Sequence, residues 1–193
     1  MRKILAVYGS ARRKGNSDAL LDRALEGVRT EEPDVRVDVV IPHEISIIPC
    51  RSCGACRRTG RCVIHDDMER IYALCESCDH IIVAAPVYFT SVPGHLKVLV
   101  DRFQCYWARR KYLGEPPQPR RAGMFLCTAS LGRESFYGAS LSVIKTWMME
   151  LNMACAVSRF YPKLEDRQDA LKRADYLEDA RQAAHELLAW KQG

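Results

Sequence analysis

The sequence predicts an α/β protein built on a five-stranded parallel sheet that helices cover on both faces. Two observations support this fold class: five short apolar runs recur along the 193 residues, and amphipathic helical patterns lie between them. The runs are almost continuously apolar rather than alternating, which is typical of strands buried on both faces. Parallel neighbours need a crossover connection, and a helix between successive strands supplies it.

The five predicted strands are bounded by turn residues and by the helical patterns. They cover residues 4–8, 35–41, 80–85, 123–127 and 155–160. Helices are predicted from Ser17 to about residue 28, over 66–76, 93–103 and 136–151, and as one long amphipathic helix over 165–191. Asp66 and Glu69 have the spacing of a capping box, and Pro93 suits the first turn of a helix.

Composition and charge exclude several classes of protein. Hydrophobic residues make up 48% of the chain, which is enough to bury a core and excludes global disorder. The longest apolar stretch, 81–85, is too short to cross a membrane, and Gly9-Ser10 interrupts the N-terminal run before it could form a signal peptide. The net charge of +5 accompanies no nucleic-acid motif. We therefore expect a cytoplasmic protein of one domain, 1–193, with no membrane or nucleic-acid partner.

Two long connections interrupt the alternation of strands and helices, and long connections often carry function. Residues 42–65 form a cysteine-rich insertion, and residues 107–121 form a basic, proline-rich one. The mixture of bases and aromatic residues in 107–112 also occurs in nucleic-acid-binding segments. We favour a subunit contact or a lid here, because the segment follows the helix that opens at the loop after the third strand.

The loop after the first strand leads directly into a helix N-terminus, where free N–H groups attract an anion. Ser10, Asn16 and Ser17 add short donors to this loop, and Arg12 adds a positive charge. The spacing matches neither a dinucleotide nor a Walker pattern, so a monophosphate fits best. The alternative is an ordinary polar turn that ends in a Ser17 cap.

Two further loops follow neighbouring strands and can reach the same crevice. Residues 85–94 combine two prolines with aromatic and aliphatic side chains, which offer an apolar wall to a planar heterocycle. Residues 128–132 follow the fourth strand. The crevice at the carboxyl edge is where open α/β sheets bind ligands. The alternative is that Tyr88 and Phe89 only cap the core.

Four cysteines lie close together in the first insertion. Cys50, Cys53, Cys56 and Cys62 have C-x2-C-x2-C-x5-C spacing, which suits an iron–sulfur cluster. Flanking arginines are expected to lower the thiol pKa values and to offset the charge of a cluster. Zinc is a less natural metal for cysteines at this spacing, and a loop without metal is the other alternative. Elsewhere, Cys75 and Cys78 are predicted to be buried apolar residues rather than a redox pair.

Four segments of the chain resemble a known family. They are GSARRKGNS at 9–17, DDM at 66–68, PVYFTSVPGHLK at 86–97 and DR at 101–102. Taken together, residues 3 to about 160 resemble the NAD(P)H-dependent FMN reductase family, and most of all its iron–sulfur flavoprotein branch. The resemblance implies a flavodoxin-like three-layer sandwich with strand order 2-1-3-4-5 and FMN at the switch point.

The resemblance also assigns site residues. Four residues would hold the FMN phosphate: Ser10, Arg12, Asn16 and Ser17. Seven would surround the isoalloxazine ring: Pro86, Val87, Tyr88, Phe89 and Ser91 on one side, with Thr128 and Ala129 opposite. The compact cysteine motif implies a [4Fe–4S] cluster. No catalytic side chain is expected, because the cofactor carries the chemistry.

Two functions follow from the predicted cofactors. As an enzyme, the protein would take hydride from NAD(P)H and pass electrons to a small-molecule or protein acceptor. As an electron carrier, it would exchange single electrons with a ferredoxin-like partner through a cluster roughly 10 Å from the flavin, or beside the flavin of a neighbouring subunit. A regulatory module that binds FMN or a metal without turnover is a third interpretation. The insertions and the resemblance imply a homodimer or a homotetramer.

Overall fold

A five-stranded parallel sheet forms the centre of the protein. The computed structural model describes residues 1–116 and 120–191. The strands are β1 (Lys3–Tyr8), β2 (Arg36–Val40), β3 (His80–Pro86), β4 (Arg121–Thr128) and β5 (Met153–Tyr161). Their order across the sheet is β2-β1-β3-β4-β5, and every neighbouring pair is parallel. The predicted fold class and strand order are confirmed, and each predicted strand has its counterpart.

Seven α-helices and one short 3₁₀ helix occur in the described ranges. They are α1 (Asn16–Glu31), α2 (Cys56–Thr59), α3 (Met68–Ser77), α4 (Gly94–Asp101), α5 (Gln104–Leu113), α6 (Glu134–Glu150), the 3₁₀ helix (Asp169–Lys172) and α7 (Ala174–Ala189). None of these helices is both long enough and apolar enough to cross a membrane.

Alternate residues of each strand contribute to two separate cores. In β1, Leu5 and Val7 pack in one core with α3, α4 and α6, while Ile4 and Ala6 pack in the other with α1 and α7. All four of these side chains are fully buried or nearly so. Burial on both faces explains why the three central strands, β1, β3 and β4, are almost continuously apolar in sequence. The result is a sandwich of helices, sheet and helices.

The basic insertion is more regular than predicted. Its first residues form the end of α5, and Arg121 already belongs to β4. The helix buries Cys105, Tyr106 and Ala108, while Arg109 and Arg110 are half-buried and Lys111 is exposed. The sequence analysis did not predict this helix. Its charged residues leave too few apolar positions to repeat over several helical turns. The proline-rich part of the predicted insertion, 117–119, lies outside the described residues.

Two predictions about helix ends are wrong. The tail is not one helix from residue 165, because a 3₁₀ turn and a break precede α7. The capping box also does not form, since the Glu69 side chain meets His65 rather than a free backbone N–H. Asp66 alone acts at this helix end, where its carboxylate accepts a hydrogen bond from the Met68 N–H at 3.0 Å.

Gly9 is where the sheet packs too tightly for a side chain. A Cβ there would lie 2.8 Å from Ala85 Cβ and 2.8 Å from Leu96 Cδ2. We therefore expect Gly9→Ala to lower the free energy of unfolding by about 1–3 kcal/mol through overpacking. Gly138 in α6 has open space around its Cα, so Gly138→Ala should raise it by about 0.5–1 kcal/mol. Chemical denaturation of both variants checks the pair, and equal effects would contradict the packing.

Candidate functional site

Three loops enclose a cleft at the carboxyl edge of the sheet. They follow β1, β3 and β4, which are neighbours in the strand order. The cleft is lined by all of the predicted flavin contacts except Phe89 and Ser91: Ser10, Arg12, Asn16, Ser17, Pro86, Val87, Tyr88, Thr128 and Ala129. Gly15, Ser130, Leu164 and Glu165 complete the lining. Residues far apart in sequence thus meet where the sequence predicted a ligand.

The loop after β1 is held by a hydrogen bond to β3 and by one within the loop. The Gly9 N–H donates to Ala84 O at 2.8 Å, which continues the sheet into the loop. The Ser10 hydroxyl accepts from the Arg12 N–H at 3.1 Å. The loop then enters α1, whose first N–H groups have no partner within the helix. This end of the cleft is therefore suited to an anion.

Ser17 does not cap the helix, contrary to the alternative drawn from the sequence. Gly15 occupies the cap position, and no side chain makes a cap hydrogen bond there. The Ser17 hydroxyl instead lies 2.7 Å from the Thr128 hydroxyl, and both residues are buried. Only one hydroxyl can donate in this contact, so the other retains a hydrogen for a ligand. The contact joins the first and third loops at the base of the cleft.

Two neighbouring arginines have different roles beside this loop. Arg13 pairs with the buried carboxylate of Asp18 at 2.5 Å and lies over the Tyr8 ring at 4.6 Å. Burial raises the pKa of Asp18, while the Lys14 backbone N–H and the charge of Arg13 oppose that rise. The charge of Arg13 is therefore compensated within the protein. Arg12 is exposed and has no such carboxylate partner among the described residues, so it is the side chain available to an anion.

Asn16 lines the cleft but already has protein partners. Its Nδ2 donates to Asp166 O at 2.7 Å, and its Oδ1 accepts from the Ala170 N–H at 2.9 Å. These two bonds fasten the segment after β5 to the start of α1. Leu164 and Glu165 of this segment consequently face the cleft. A direct contact between Asn16 and a phosphate remains a prediction that must use its second amide hydrogen.

The loop after β3 forms the wall of the cleft. Val87 N–H donates to Thr128 O at 2.8 Å, so this loop is tied to the loop after β4. Tyr88 and Ser91 then exchange backbone hydrogen bonds of 2.8 and 3.1 Å across a tight turn. Phe89 and Thr90 at its tip have φ of +47° and +63°, a backbone region that is strained for these residues. The Phe89 side chain is fully exposed and lies outside the lining.

The residues of the cleft fit FMN. A helix N-terminus and an exposed arginine suit one phosphate group, as the loop after β1 provides. Pro86, Val87 and Tyr88 supply an apolar wall, and backbone groups at the strand ends supply hydrogen-bonding edges. The cleft lies between β1 and β3, which is the switch point of this strand order.

The four predicted metal ligands line a second cavity of about 100 Å³. Its walls come from the cysteine-rich loop, from Arg102 and from α5, including Trp107 and Ala108. α2 packs on α5, and the Arg109 Nε donates to Gly60 O at 2.8 Å. The basic segment that the sequence suggested as a lid or a subunit contact therefore supports the cysteine loop.

The thiols share this cavity without converging on one point. Among the described residues, no three Cys, His, Asp or Glu side chains form a ready metal-binding group. The donor set nevertheless fits an iron–sulfur cluster, because four soft thiols face one cavity on a short loop. Gly54 and Gly60 both have positive φ, +73° and +68°, and so permit the tight path of this loop.

The predicted effect of the flanking arginines is wrong at Cys56. Burial raises the pKa of this thiol, and the neighbouring thiols Cys50, Cys53 and Cys62 add to the rise. Arg51, Arg57, Arg58 and Arg61 are all exposed, so solvent screens their charges. Cys75 and Cys78 are buried, as predicted; burial raises the pKa of Cys78 to about 11, which disfavours a reactive thiolate.

Several residues of both cavities were missed in the sequence. Leu164 and Glu165 lie at the cleft because Asn16 and the backbone of Ala129 hold their segment, and no local pattern marks them. Arg102 belongs to a recognised motif, but its burial beside the cysteines was not predicted. The one available signal was its place directly before Phe103, at the end of a helix with regularly spaced apolar residues.

Comparison with known proteins agrees with this geometry. A family model described as NADPH-dependent FMN reductase matches residues 2–161. An iron–sulfur flavoprotein of Methanosarcina thermophila is 42% identical over 100 residues, which is 52% of this chain and 51% of the relative. An iron–sulfur flavoprotein of Archaeoglobus fulgidus is 32% identical over 146 residues, which is 75% of this chain and 63% of the relative. The chain thus spans about half to two thirds of the length of these relatives.

Solved structures show the same fold at low sequence identity. An azoreductase of Bacillus anthracis superposes with a TM-score of 0.70 at 14% identity, covering 96% of this chain and 100% of that one. An NAD(P)H:quinone oxidoreductase of Methanothermobacter marburgensis gives 0.68 at 15% identity, with 99% of each chain covered. These likenesses establish the flavodoxin-like architecture.

The bonds of Asn16 predict a structural role that can be separated from ligand binding. Asn16→Ala leaves Asp166 O and the Ala170 N–H without their partners, so we expect the ligand-free protein to lose about 1–3 kcal/mol of stability. Denaturant unfolding in the absence of FMN measures this loss. Thr30→Ala, at an exposed side chain of α1, is the control and should change stability by under about 1 kcal/mol. An unchanged Asn16→Ala would contradict the fastening role.

Proposed function

The chain belongs to the NADPH-dependent FMN reductase family, and from that premise we propose that it uses FMN to move electrons from NAD(P)H to a small-molecule or protein acceptor. The observation that supports this proposal most is the cleft in which three separate loops meet at the switch point of the sheet.

Each part of the cleft has a task in this proposal. The N-terminus of α1, Ser10 and Arg12 would hold the phosphate and so position the flavin. Val87, Tyr88, Thr128 and Ala129 would contact the ring and shield it from water. When bound, FMN supplies the hydride-accepting and electron-donating chemistry. The protein contributes binding and orientation, so no catalytic side chain is assigned.

The cysteine cavity supports a [4Fe–4S] cluster as a second cofactor. Cys50, Cys53, Cys56 and Cys62 line this cavity, and the relatives from Methanosarcina thermophila and Archaeoglobus fulgidus carry the name iron–sulfur flavoprotein. A four-iron cluster takes four cysteine thiolates, which is the number present on this short loop. Each thiol must lose its proton on ligation, so cluster assembly would release protons.

An electron carrier is the second candidate function. The position of α4 supports it, because this helix connects the two cavities. This helix begins after Pro93, next to the wall of the cleft, and ends before Arg102, which lines the cysteine cavity. Eight residues of α-helix are about 12 Å long, close to the roughly 10 Å expected from the sequence. A cluster so placed would exchange electrons with the flavin and with a ferredoxin-like partner.

We propose a homodimer or a homotetramer, with the exposed Phe89 on the rim of the cleft at the contact.

Arg12 provides the first test of the flavin site. Arg12→Ala removes a charged hydrogen bond to the phosphate, which is worth about 1.5–3 kcal/mol, so the FMN dissociation constant should rise about 10- to 100-fold. Arg29→Ala, which removes an exposed arginine at the far end of α1, should leave it unchanged. Fluorescence titration of the apoprotein measures both constants. Equal affinity in the two variants would place the phosphate elsewhere.

Cys53 separates the enzyme from the carrier. Cys53→Ala should remove iron while FMN stays bound, and Cys155→Ala, on β5, should keep about four iron atoms per chain. Stopped-flow mixing of anaerobic protein with NADH or NADPH then follows flavin reduction. Rapid reduction in wild type and Cys53→Ala alike supports the enzyme. Reduction only by a reduced ferredoxin, and only with iron present, supports the carrier. Wild-type protein without iron would contradict the cluster.

A further inference from the structure

Arg102 is a fully buried charged side chain at the end of α4. Its side chain is 0% exposed, and that of its ionic partner Asp66 is 5% exposed. Arginine is almost never buried unless its charge is paired. The Arg102 Nη1 donates to Asp66 Oδ2 at 2.5 Å, so the pairing requirement is met. The guanidinium donors make further hydrogen bonds to residues on both sides of the cysteines.

Those donors reach both ends of the cysteine loop. Nη1 also donates to Ile48 O at 2.7 Å, just before the first cysteine. Nη2 donates to Ile64 O at 3.2 Å and to the Cys62 Sγ at 3.5 Å, at the end of the loop. One rigid guanidinium therefore fixes the separation of the two ends. Of the four predicted ligands, Cys62 is the one whose sulfur it contacts.

Asp66 strengthens the same closure from the other side. Its Oδ2 also accepts from the Ile48 N–H at 2.9 Å, while its Oδ1 accepts from the Met68 N–H at the start of α3. The pair thus joins the start of the cysteine loop, the start of α3 and the end of α4. Removing either charge would leave the other buried and unpaired, which strongly disfavours the folded loop.

One donor of Arg102 has no acceptor within the described chain. Its Nε is buried and makes no hydrogen bond, although Arg102 lines the cavity that the four cysteines share. A buried N–H of a charged group without a partner is costly, and native proteins rarely contain one. The donor that the structure places at a sulfur is Nη2, which lies 3.5 Å from the Cys62 Sγ. A cysteine thiolate that ligates a cluster is an anionic acceptor for such a donor.

We propose that Arg102 is a positioning residue for the iron–sulfur cluster, holding Cys62 in place and donating N–H···S hydrogen bonds that raise the reduction potential of the cluster. The inference rests on the proposed function, because it requires a cluster in the cysteine cavity. Reduction adds one negative charge to the cluster. A positive charge and N–H donors at its sulfurs stabilise that reduced state, and Asp66 keeps the donor oriented.

Arg102→Lys tests the proposal because it keeps the charge but loses the fixed fork of donors. The matched control is Arg58→Lys, the same substitution at an exposed arginine of the same loop. We measure iron and FMN per chain and the midpoint potential of the cluster by anaerobic redox titration. In Arg102→Lys the equilibrium constant for reduction should fall about tenfold, or about 59 mV for one electron. In Arg58→Lys it should not change.

A measurement on wild-type protein covers the case in which Arg102→Lys does not fold. Protein labelled with ¹⁵N only at arginine is reduced with dithionite and studied by pulsed EPR. Hyperfine coupling between the reduced cluster and an arginine nitrogen supports the proposal, and the same coupling should persist in Arg58→Lys. If the wild-type cluster shows no such coupling and Arg102→Lys does not shift its potential, the role of Arg102 is overturned but the cluster is not. Wild-type protein without iron overturns the cluster as well, so iron content distinguishes the two failures.

Discussion

Because all five strands run parallel, their carboxyl ends lie along one edge of the sheet, and both candidate sites depend on this constraint. The order β2-β1-β3-β4-β5 makes β1, β3 and β4 neighbours, so the loops that follow them meet in one cleft. Local contacts then hold those loops together. The hydroxyl contact of Ser17 with Thr128 and the backbone bond from Val87 to Thr128 tie the first and second loops to the third.

α4 relates the two cavities to each other. It starts beside the flavin cleft and ends at Arg102 beside the cysteines, and the buried residues Leu96 and Leu99 fix it against the sheet. A helix that is packed in this way holds its two ends at a constant separation. Electron exchange between the proposed cofactors thus depends on a fixed protein distance rather than on a moving segment. The two cavities share no lining residue, so a substitution in one leaves the residues that line the other in place.

Local patterns in the sequence were sufficient for the sheet and for most of the cleft. Strands such as β1 are recognisable because both faces are buried, and the polar loop at Ser10 is recognisable because it joins a strand to a helix. The strand order and the FMN assignment needed the family resemblance. Contacts that depend on distant residues could not be predicted. Examples are the bonds of Asn16 to the segment after β5 and the burial of Arg102 against Asp66.

If one chain holds two redox centres, the number of electrons that it takes up is their most direct measure. Purified protein is titrated anaerobically with dithionite while visible absorption is followed. FMN takes up two electrons and a four-iron cluster one, so we expect about three electrons per chain. Uptake of about two electrons, with only flavin bands bleached, would contradict the cluster. No flavin bands at all would contradict the assignment of the cleft and with it the account of the fold as a redox scaffold.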